Sequence, residues 1–198
     1  MDIVIATGNE GKLTEMKAVL DQPGRRFIAQ SHLAITSPPE TGLSFVENAL
    51  IKARHAAIQS GQPALADDSG LVVPYLGGAP GVFSARYAKE GATDKENVQH
   101  LLHQLKTCSD ENPEAYFYCC LVLVRHPEDP IPMICQARWE GAIVRRPEGD
   151  HGFGYDPIFW VPTHHCTAAQ LSAEDKNRLS HRGKALAQLA DLLLFEGL

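Results

Sequence analysis

Two aspartates stand side by side, Asp67-Asp68, directly after the apolar run Ala64-Leu65-Ala66 and just before Ser69-Gly70 and a second apolar run, Leu71-Val72-Val73. Short apolar runs of this kind read as buried strands. Adjacent carboxylates at the end of a buried strand cost stability through desolvation and mutual repulsion unless a cation compensates them. The chain therefore has two options. It can turn at Asp67-Asp68-Ser69-Gly70 and leave both acids solvated, as such turns commonly do, or it can hold a cation such as magnesium there.

The rest of the chain reads as strands, helices and glycine-rich loops. Ile3-Val4-Ile5-Ala6 runs into the polar stretch Thr7-Gly8-Asn9-Glu10-Gly11-Lys12, after which Leu13, Met16, Val19 and Leu20 recur at helical spacing. That is strand, turn, helix. Ser44 with Glu47 reads as a capping box opening a helix with Val46, Ala49, Leu50, Ala53 and Ala57 inward, ended by Gly61. Thr93 with Glu96 opens another, with Val98, Leu101, Leu102 and Leu105. Residues 115–124 and 131–139 read as strands, with Gly141 as the turn after the second. Gly77-Gly78-Ala79-Pro80-Gly81 and residues 149–157 are glycine-rich loops, the latter followed by the run Ile158-Phe159-Trp160-Val161. Ser172 with Asp175 caps one closing helix, and a second starts near Ser180. Early alternation of strands and helices followed by a meander-like middle predicts an α/β fold with a mixed sheet, a single domain over residues 1–198.

Composition and charge exclude several classes. Hydrophobic residues make up 44% and charged residues 21% of 198, ordinary for a globular chain. A formal net charge of −6 without a run of Lys or Arg argues against a nucleic-acid partner. No apolar run has the length of a membrane span, so no membrane partner is expected. The opening residues lack the basic flank and long apolar stretch of a secretory signal, which predicts a cytoplasmic location. The five cysteines are odd in number and include no C-x-x-C pair, so all are read as reduced thiols, mostly core fillers. His164-His165-Cys166 lacks the second ligand pair of a zinc site.

Several short segments could carry chemistry. Thr7 to Lys12 occupies the place where α/β proteins bind phosphate on a helix N-terminus, with Lys12 adding charge. It is not a Walker A loop, because Ala6 stands where the first glycine belongs and Leu13 where the Ser or Thr belongs. An ordinary strand-to-helix turn is the alternative. Magnesium favours oxygen ligands and usually shares them with substrate phosphates, which suits Asp67-Asp68 if they are not simply solvated. Asn48 and Lys52 share one helical face with Glu47 nearby, otherwise a solvated polar face. Glu40 is a further metal ligand or merely a loop acid. Phe153 and Tyr155, between Gly152 and Gly154, offer faces for a base or cap the core. Lys176 and Ser180-His181-Arg182-Gly183 group donors that suit a 6-keto purine or a phosphate, or else form a capped, charged helix start.

The order of these segments is more specific than any one of them. Thr7-Gly8-Asn9-x-Gly11-Lys12, Glu40-Thr41-Gly42, Phe45-x-Glu47-Asn48-Ala49-x-x-Lys52-Ala53, Ala66-Asp67-Asp68-Ser69-Gly70-Leu71, Gly78-Ala79-Pro80-Gly81-x-x-Ser84-Ala85-Arg86-Tyr87, Gly152-Phe153-Gly154-Tyr155-Asp156-Pro157 and Ser180-His181-Arg182-Gly183 together resemble the inosine triphosphate pyrophosphatase family, in particular its bacterial dITP/XTP branch. The resemblance spans nearly the whole chain. It implies a central mixed β-sheet with flanking helices, two lobes around a nucleotide-binding cleft, and a homodimer. It also implies Mg2+-dependent hydrolysis of ITP, dITP and XTP to monophosphate and pyrophosphate.

Carried over by position, Thr7, Gly8, Asn9, Glu10, Gly11 and Lys12 hold the triphosphate with Lys52 assisting. Asp68 and Glu40 bind the metal with Asp67 beside them, Asp68 accepts the proton, and Ser69 touches substrate. Phe153, Gly154, Tyr155, Asp156, Lys176, His181 and Arg182 form the base pocket. Pro39 precedes Glu40 where related sequences often have another acid. Two rival readings are a phosphohydrolase releasing orthophosphate, for which there is no nucleophile motif, and a nucleotide sensor without turnover. The paired carboxylates favour catalysis, since acids repel phosphate unless a metal intervenes.

Overall fold

The strand begun at Ala64 does not turn at the aspartates. In the computed structural model, which describes residues 2–20 and 25–196, it runs unbroken as β3 (Ala64–Val72) through both of them. β1 (Asp2–Ala6) lies parallel to β2 (Arg26–Ala29) and to β3, the latter with Ala6 level with Ala66. β1 therefore ends one residue short of Asp67, and the chain leaves it through Thr7 into α1 (Glu10–Leu20) beside the first carboxylate. β4 (Glu114–Val124), β5 (Met133–Ile143), β6 (Phe159–Val161) and β7 (Cys166–Thr167) complete a seven-stranded sheet in the order β2-β1-β3-β4-β5-β6-β7. The β5–β6 and β6–β7 pairs are antiparallel, so the sheet is mixed.

Helices follow the capping signals. Ser44 accepts the Glu47 N–H at the start of α2 (Phe45–Ser60), and Gly61 ends it in the left-handed conformation. The reciprocal arm differs from a full box: Glu47 accepts from the Leu43 N–H and the Ser44 hydroxyl. Thr93 and Glu96 form both arms at α3 (Asp94–Gln104). Ser172 accepts the Asp175 N–H at α4 (Ala173–Leu179), and α5 (His181–Phe195) follows at once. No helix among the described residues is long and apolar enough to cross a membrane.

The chain resolves into two compact units, the first of residues 1–68, 119–137 and 181–198, the second of residues 69–118 and 138–180. The first has a core of Ile3, Ile5, Leu65, Cys119, Leu121 and Leu123 from strands against Met16, Leu20, Leu186 and Leu189 from α1 and α5, which pack on each other. The second has a core of Leu71, Leu101, Phe117, Trp139, Ile143 and Phe159, with the rings of Phe117, Trp139 and Phe159 in mutual contact. All five cysteines are free thiols, with Cys119, Cys120 and Cys135 buried.

Gly141, expected as a turn, lies inside β5. A Cβ there would fall 2.4 Å from the Trp160 carbonyl oxygen and 2.6 Å from the Phe159 ring, so the glycine permits the close approach of β6. Gly141→Ala should therefore cost about 1–3 kcal/mol by overpacking. That corresponds to a Tm lowered by about 2–12 °C in a chain of this size. Calorimetry showing an unchanged Tm would refute this account of the glycine.

Candidate active site

Alternation along β3 sends neighbouring side chains to opposite faces, so Asp67 and Asp68 meet different partners. Asp67 is buried, with its side chain 0% exposed. Lys12 Nζ donates to its Oδ1, while Arg182 Nε donates to Oδ2 at 2.7 Å and the Cys119 thiol to the same oxygen at 3.3 Å. Arg182, the first long side chain of α5, also donates to Glu15 of α1. Burial by itself would raise the Asp67 carboxyl, but Arg182 and Lys12 outweigh it and hold it well below the usual range. Burial also lifts the Cys119 thiol well above its usual value, with Asp67 adding to the effect, so it is a neutral donor.

Asp68 takes its positive charge from α2. Lys52 Nζ donates to Asp68 Oδ1 at 2.7 Å and to Glu40 Oε1 at 2.8 Å. One ammonium is thus shared between two carboxylates, and the two ends of the contact titrate accordingly. Burial would lower Lys52, but Asp68 and Glu40 together raise it. For Asp68 burial prevails over Lys52 and Lys12, and its carboxyl is raised. Its second oxygen, Oδ2, is buried and has no hydrogen-bond partner.

Neither acid is a solvated turn residue, and Asn48 and Lys52 are not a solvated helix face. Asn48 is 0% exposed and Lys52 6%. Asn48 Oδ1 accepts the Gly42 N–H at 2.8 Å and so ties α2 to the segment carrying Glu40. Within the first unit the structure therefore brings Lys12, Glu40, Lys52, Asp67, Asp68 and Arg182 into direct contacts. At the head of α1, Asn9 Oδ1 accepts the Lys12 N–H at 2.9 Å, and Thr7 Oγ1 accepts the Asn9 N–H at 3.1 Å. Thr7 and Gly11 are half-buried, while Gly8, Asn9 and Glu10 are exposed.

The donor set suits a hard divalent ion. Glu15, Glu40, Asp67 and Asp68 face Lys12, Lys52 and Arg182, leaving one negative charge over among these side chains. The unpartnered Asp68 Oδ2 is a buried carboxylate oxygen, the donor type that magnesium favours. Among the described residues no group of three His, Cys, Asp or Glu converges as a complete cage. Magnesium does not require one, since it is typically held by one or two carboxylates together with substrate phosphates.

In the second unit the expected base-binding residues separate into two roles. Asp156 is 3% exposed and its Oδ2 accepts from Lys176 Nζ at 2.5 Å and from the Phe153 N–H at 2.8 Å. The Lys176 ammonium lies 4.6 Å from the centroid of the half-buried Phe153 ring. Gly152 has φ +76° and a Cβ there would fall 2.1 Å from Asp156 Oδ2, so glycine is required at this turn. Gly154 donates its N–H to Asp94 at 2.7 Å. Tyr155 instead belongs to the core, 4% exposed, with its hydroxyl donating to the Ser84 carbonyl at 2.8 Å. Ser69 is half-buried in β3, and His181 and Arg182 fall in the first unit, both buried. Glu15 and Asp94 were not singled out from the sequence, Cys119 was read only as a reduced core thiol, and Ser84 entered only within the segment from Gly78 to Tyr87; the signal at Glu15 is its place three residues after Lys12 on the same helix.

A family model described as the Ham1 family matches residues 3–192. The dITP/XTP pyrophosphatase of Escherichia coli O157:H7 is 53% identical over 191 residues, covering 96% of this chain and 97% of that protein. Among solved structures, a HAM1 protein from Coxiella burnetii matches with a TM-score of 0.92 at 50% identity, over 98% of this chain and 99% of that one. The Staphylococcus aureus Ham1 protein matches with a TM-score of 0.87 at 38% identity, over 99% and 100%.

The geometry around Asp67 has a stability consequence. Asp67→Asn leaves the buried Arg182 and the half-buried Lys12 facing a neutral amide, which should cost about 3–5 kcal/mol at pH 7 in denaturant unfolding. Because the folded-state pKa of Asp67 lies below its unfolded value, its contribution is complete above about pH 4. It is lost as pH falls through the folded value. The gap between the native chain and the variant should therefore narrow on acidification. A gap that is absent at pH 7, or that widens in acid, would contradict this assignment.

Proposed function

The chain belongs to the Ham1 family, and on that basis we propose that it hydrolyses the non-standard purine nucleoside triphosphates ITP, dITP and XTP to the monophosphate and pyrophosphate, removing them before incorporation into DNA or RNA. The observation that carries the reading is the buried, unpartnered Oδ2 of Asp68 beside a Lys52 shared with Glu40. A metal ligand and proton acceptor needs such an oxygen.

Asp68 and Glu40 would hold magnesium, whose bound charge neutralises phosphate oxygens in the transition state. Lys12, with the exposed turn of Gly8, Asn9 and Glu10, and Lys52 bind the phosphate chain. Asp68, its pKa raised by burial, takes a proton from the water that attacks the α-phosphorus. The new P–O bond forms as the α–β bridging bond breaks, and pyrophosphate leaves with that bond's oxygen. Phe153 offers a face for the purine, and Lys176, oriented by Asp156, offers a donor for its 6-oxygen. Adenine's 6-amino group would leave that donor unpaired, which supports discrimination of about 10⁴ or more. The resemblance further supports a homodimer acting in the cytoplasm.

Product analysis with magnesium, offering ITP, XTP, dITP, GTP and ATP in parallel, tests the proposal. The expected result is pyrophosphate from the first three, little turnover of GTP and ATP, and none with EDTA. Asp68→Asn should lower kcat by at least about 10²-fold with the fold intact by circular dichroism. Orthophosphate as product, indifference to the base, or activity that survives both EDTA and Asp68→Asn would overturn it. Light scattering should give twice the 21.6 kDa chain mass, and the monomer mass would refute the dimer.

A further inference from the structure

The inference that follows rests on the pyrophosphatase reading and deepens it. Four charged side chains of the first unit form a closed ring. Lys12 Nζ donates to Oδ1 of Asp67, Arg182 Nε donates to Oδ2 of the same carboxylate, and the other end of the guanidinium donates to Glu15. Glu15 lies three residues after Lys12 on α1, and the helix closes the circuit. The signs alternate, so the ring is neutral. Its side chains are 0% exposed at Asp67, 2% at Arg182, 13% at Glu15 and 16% at Lys12. The ring is thus anchored in the interior and opens at Lys12, on the turn that faces phosphate.

We infer that Glu15 and Arg182 are positioning residues for the phosphate grip, holding Asp67 so that it aims the Lys12 ammonium at the substrate, and that Arg182 acts through Asp67 instead of reading the base. A lysine ammonium is a point charge on a flexible stem with three donors and no preferred direction of its own. Here one donor is fixed by Asp67 Oδ1. Where that oxygen lies depends on what holds Oδ2, and Oδ2 is held by Arg182 with the Cys119 thiol as a second contact. Arg182 is in turn drawn toward α1 by Glu15. Without the Glu15 charge the four-residue ring is left positive, and Arg182 and Lys12 both draw on Asp67. Lys12 then loses its anchor. The donors around Phe153 and Lys176 lie in the second unit's own network and have no part in the ring.

The test is Glu15→Gln, with calorimetric affinity for magnesium pyrophosphate read alongside kcat, KM and the ITP-over-ATP preference. Pyrophosphate affinity should fall, and KM for ITP rise, about tenfold. The base preference should hold within about twofold, and Arg182→Lys should behave in the same way. In a Lys12→Met background, Glu15→Gln should have no further effect on pyrophosphate binding, since its influence runs through that ammonium. The inference is overturned by unchanged pyrophosphate affinity, by an equal loss in the Lys12→Met background, or by a changed base preference in Arg182→Lys. A native chain that binds no magnesium pyrophosphate overturns it too. If Glu15→Gln lacks a native circular dichroism spectrum, Glu15→Asp, which keeps the charge but withdraws it, is judged by the same criteria. Calorimetry needs no turnover. A chain that binds pyrophosphate as described yet leaves ITP intact would refute the function and leave the ring standing.

Discussion

Two carboxylates at consecutive buried positions of one strand are the constraint around which the first unit is organised. Strand alternation removes their mutual repulsion only by turning them to opposite faces, and each face then needs its own positive charge. Asp67 receives Lys12 from α1 and Arg182 from α5, and those two helices pack together. Asp68 receives Lys52 from α2, and Lys52 brings Glu40 with it. The positions of three helices and one loop are thus tied to a single dipeptide of β3. Replacing Asp67 by an apolar residue would leave Arg182 with Glu15 and strip Lys12 of its ion pair, and replacing Asp68 would leave Lys52 with Glu40 alone.

The two acids are satisfied unequally, and the inequality separates structure from chemistry. Asp67 has donors on both oxygens and a carboxyl held well below its usual range, so it stays charged and immobile. Asp68 shares its hydrogen-bonded cation with Glu40, keeps one buried oxygen without a partner, and is raised by burial. A fold optimised for stability alone would complete that hydrogen bonding, since an unmet buried acceptor costs about 1–3 kcal/mol. The Asn48 Nδ2 and His181 Nδ1 atoms are likewise buried without a hydrogen-bond partner, and broken local rules of this kind are typical of functional sites.

The legible parts of the sequence were those whose signal is local. Thr93 with Glu96 forms both arms of its box, and Ser44 and Ser172 cap as their spacing predicts. Gly70 and Gly141 misled, because glycine is punctuation in a sequence but here answers to close approach. A Cβ at Gly70 would fall 2.4 Å from both the Gly81 carbonyl oxygen and the Ser84 hydroxyl, inside a continuous strand. β2 and β7, four and two residues long, are too short to show a period. Lys12, Glu40, Lys52, Asp67 and Asp68 were all singled out, and they do meet. Glu15 and Cys119 were missed because what gives them meaning lies 167 and 52 residues away. Tyr155 shows the converse: whether an aromatic in a glycine-rich loop faces a base or caps the core is open in the sequence, and its 4% exposure and bond to the Ser84 carbonyl place it in the core.

The charge balance of the first unit also argues for the form in which a nucleotide enters. Among the side chains of these ion pairs four carboxylates face three cations, and the carboxylate in excess repels a bare triphosphate at short range. On the proposed function, a divalent cation accompanying the phosphates would reverse the sign of that interaction at Asp68, whose Oδ2 has no hydrogen-bond partner. The neutral ring around Asp67 is untouched by the exchange, because its cations are matched one for one. One carboxylate can therefore respond to the arriving charge while its neighbour, a single residue away on the strand, keeps Lys12 in place.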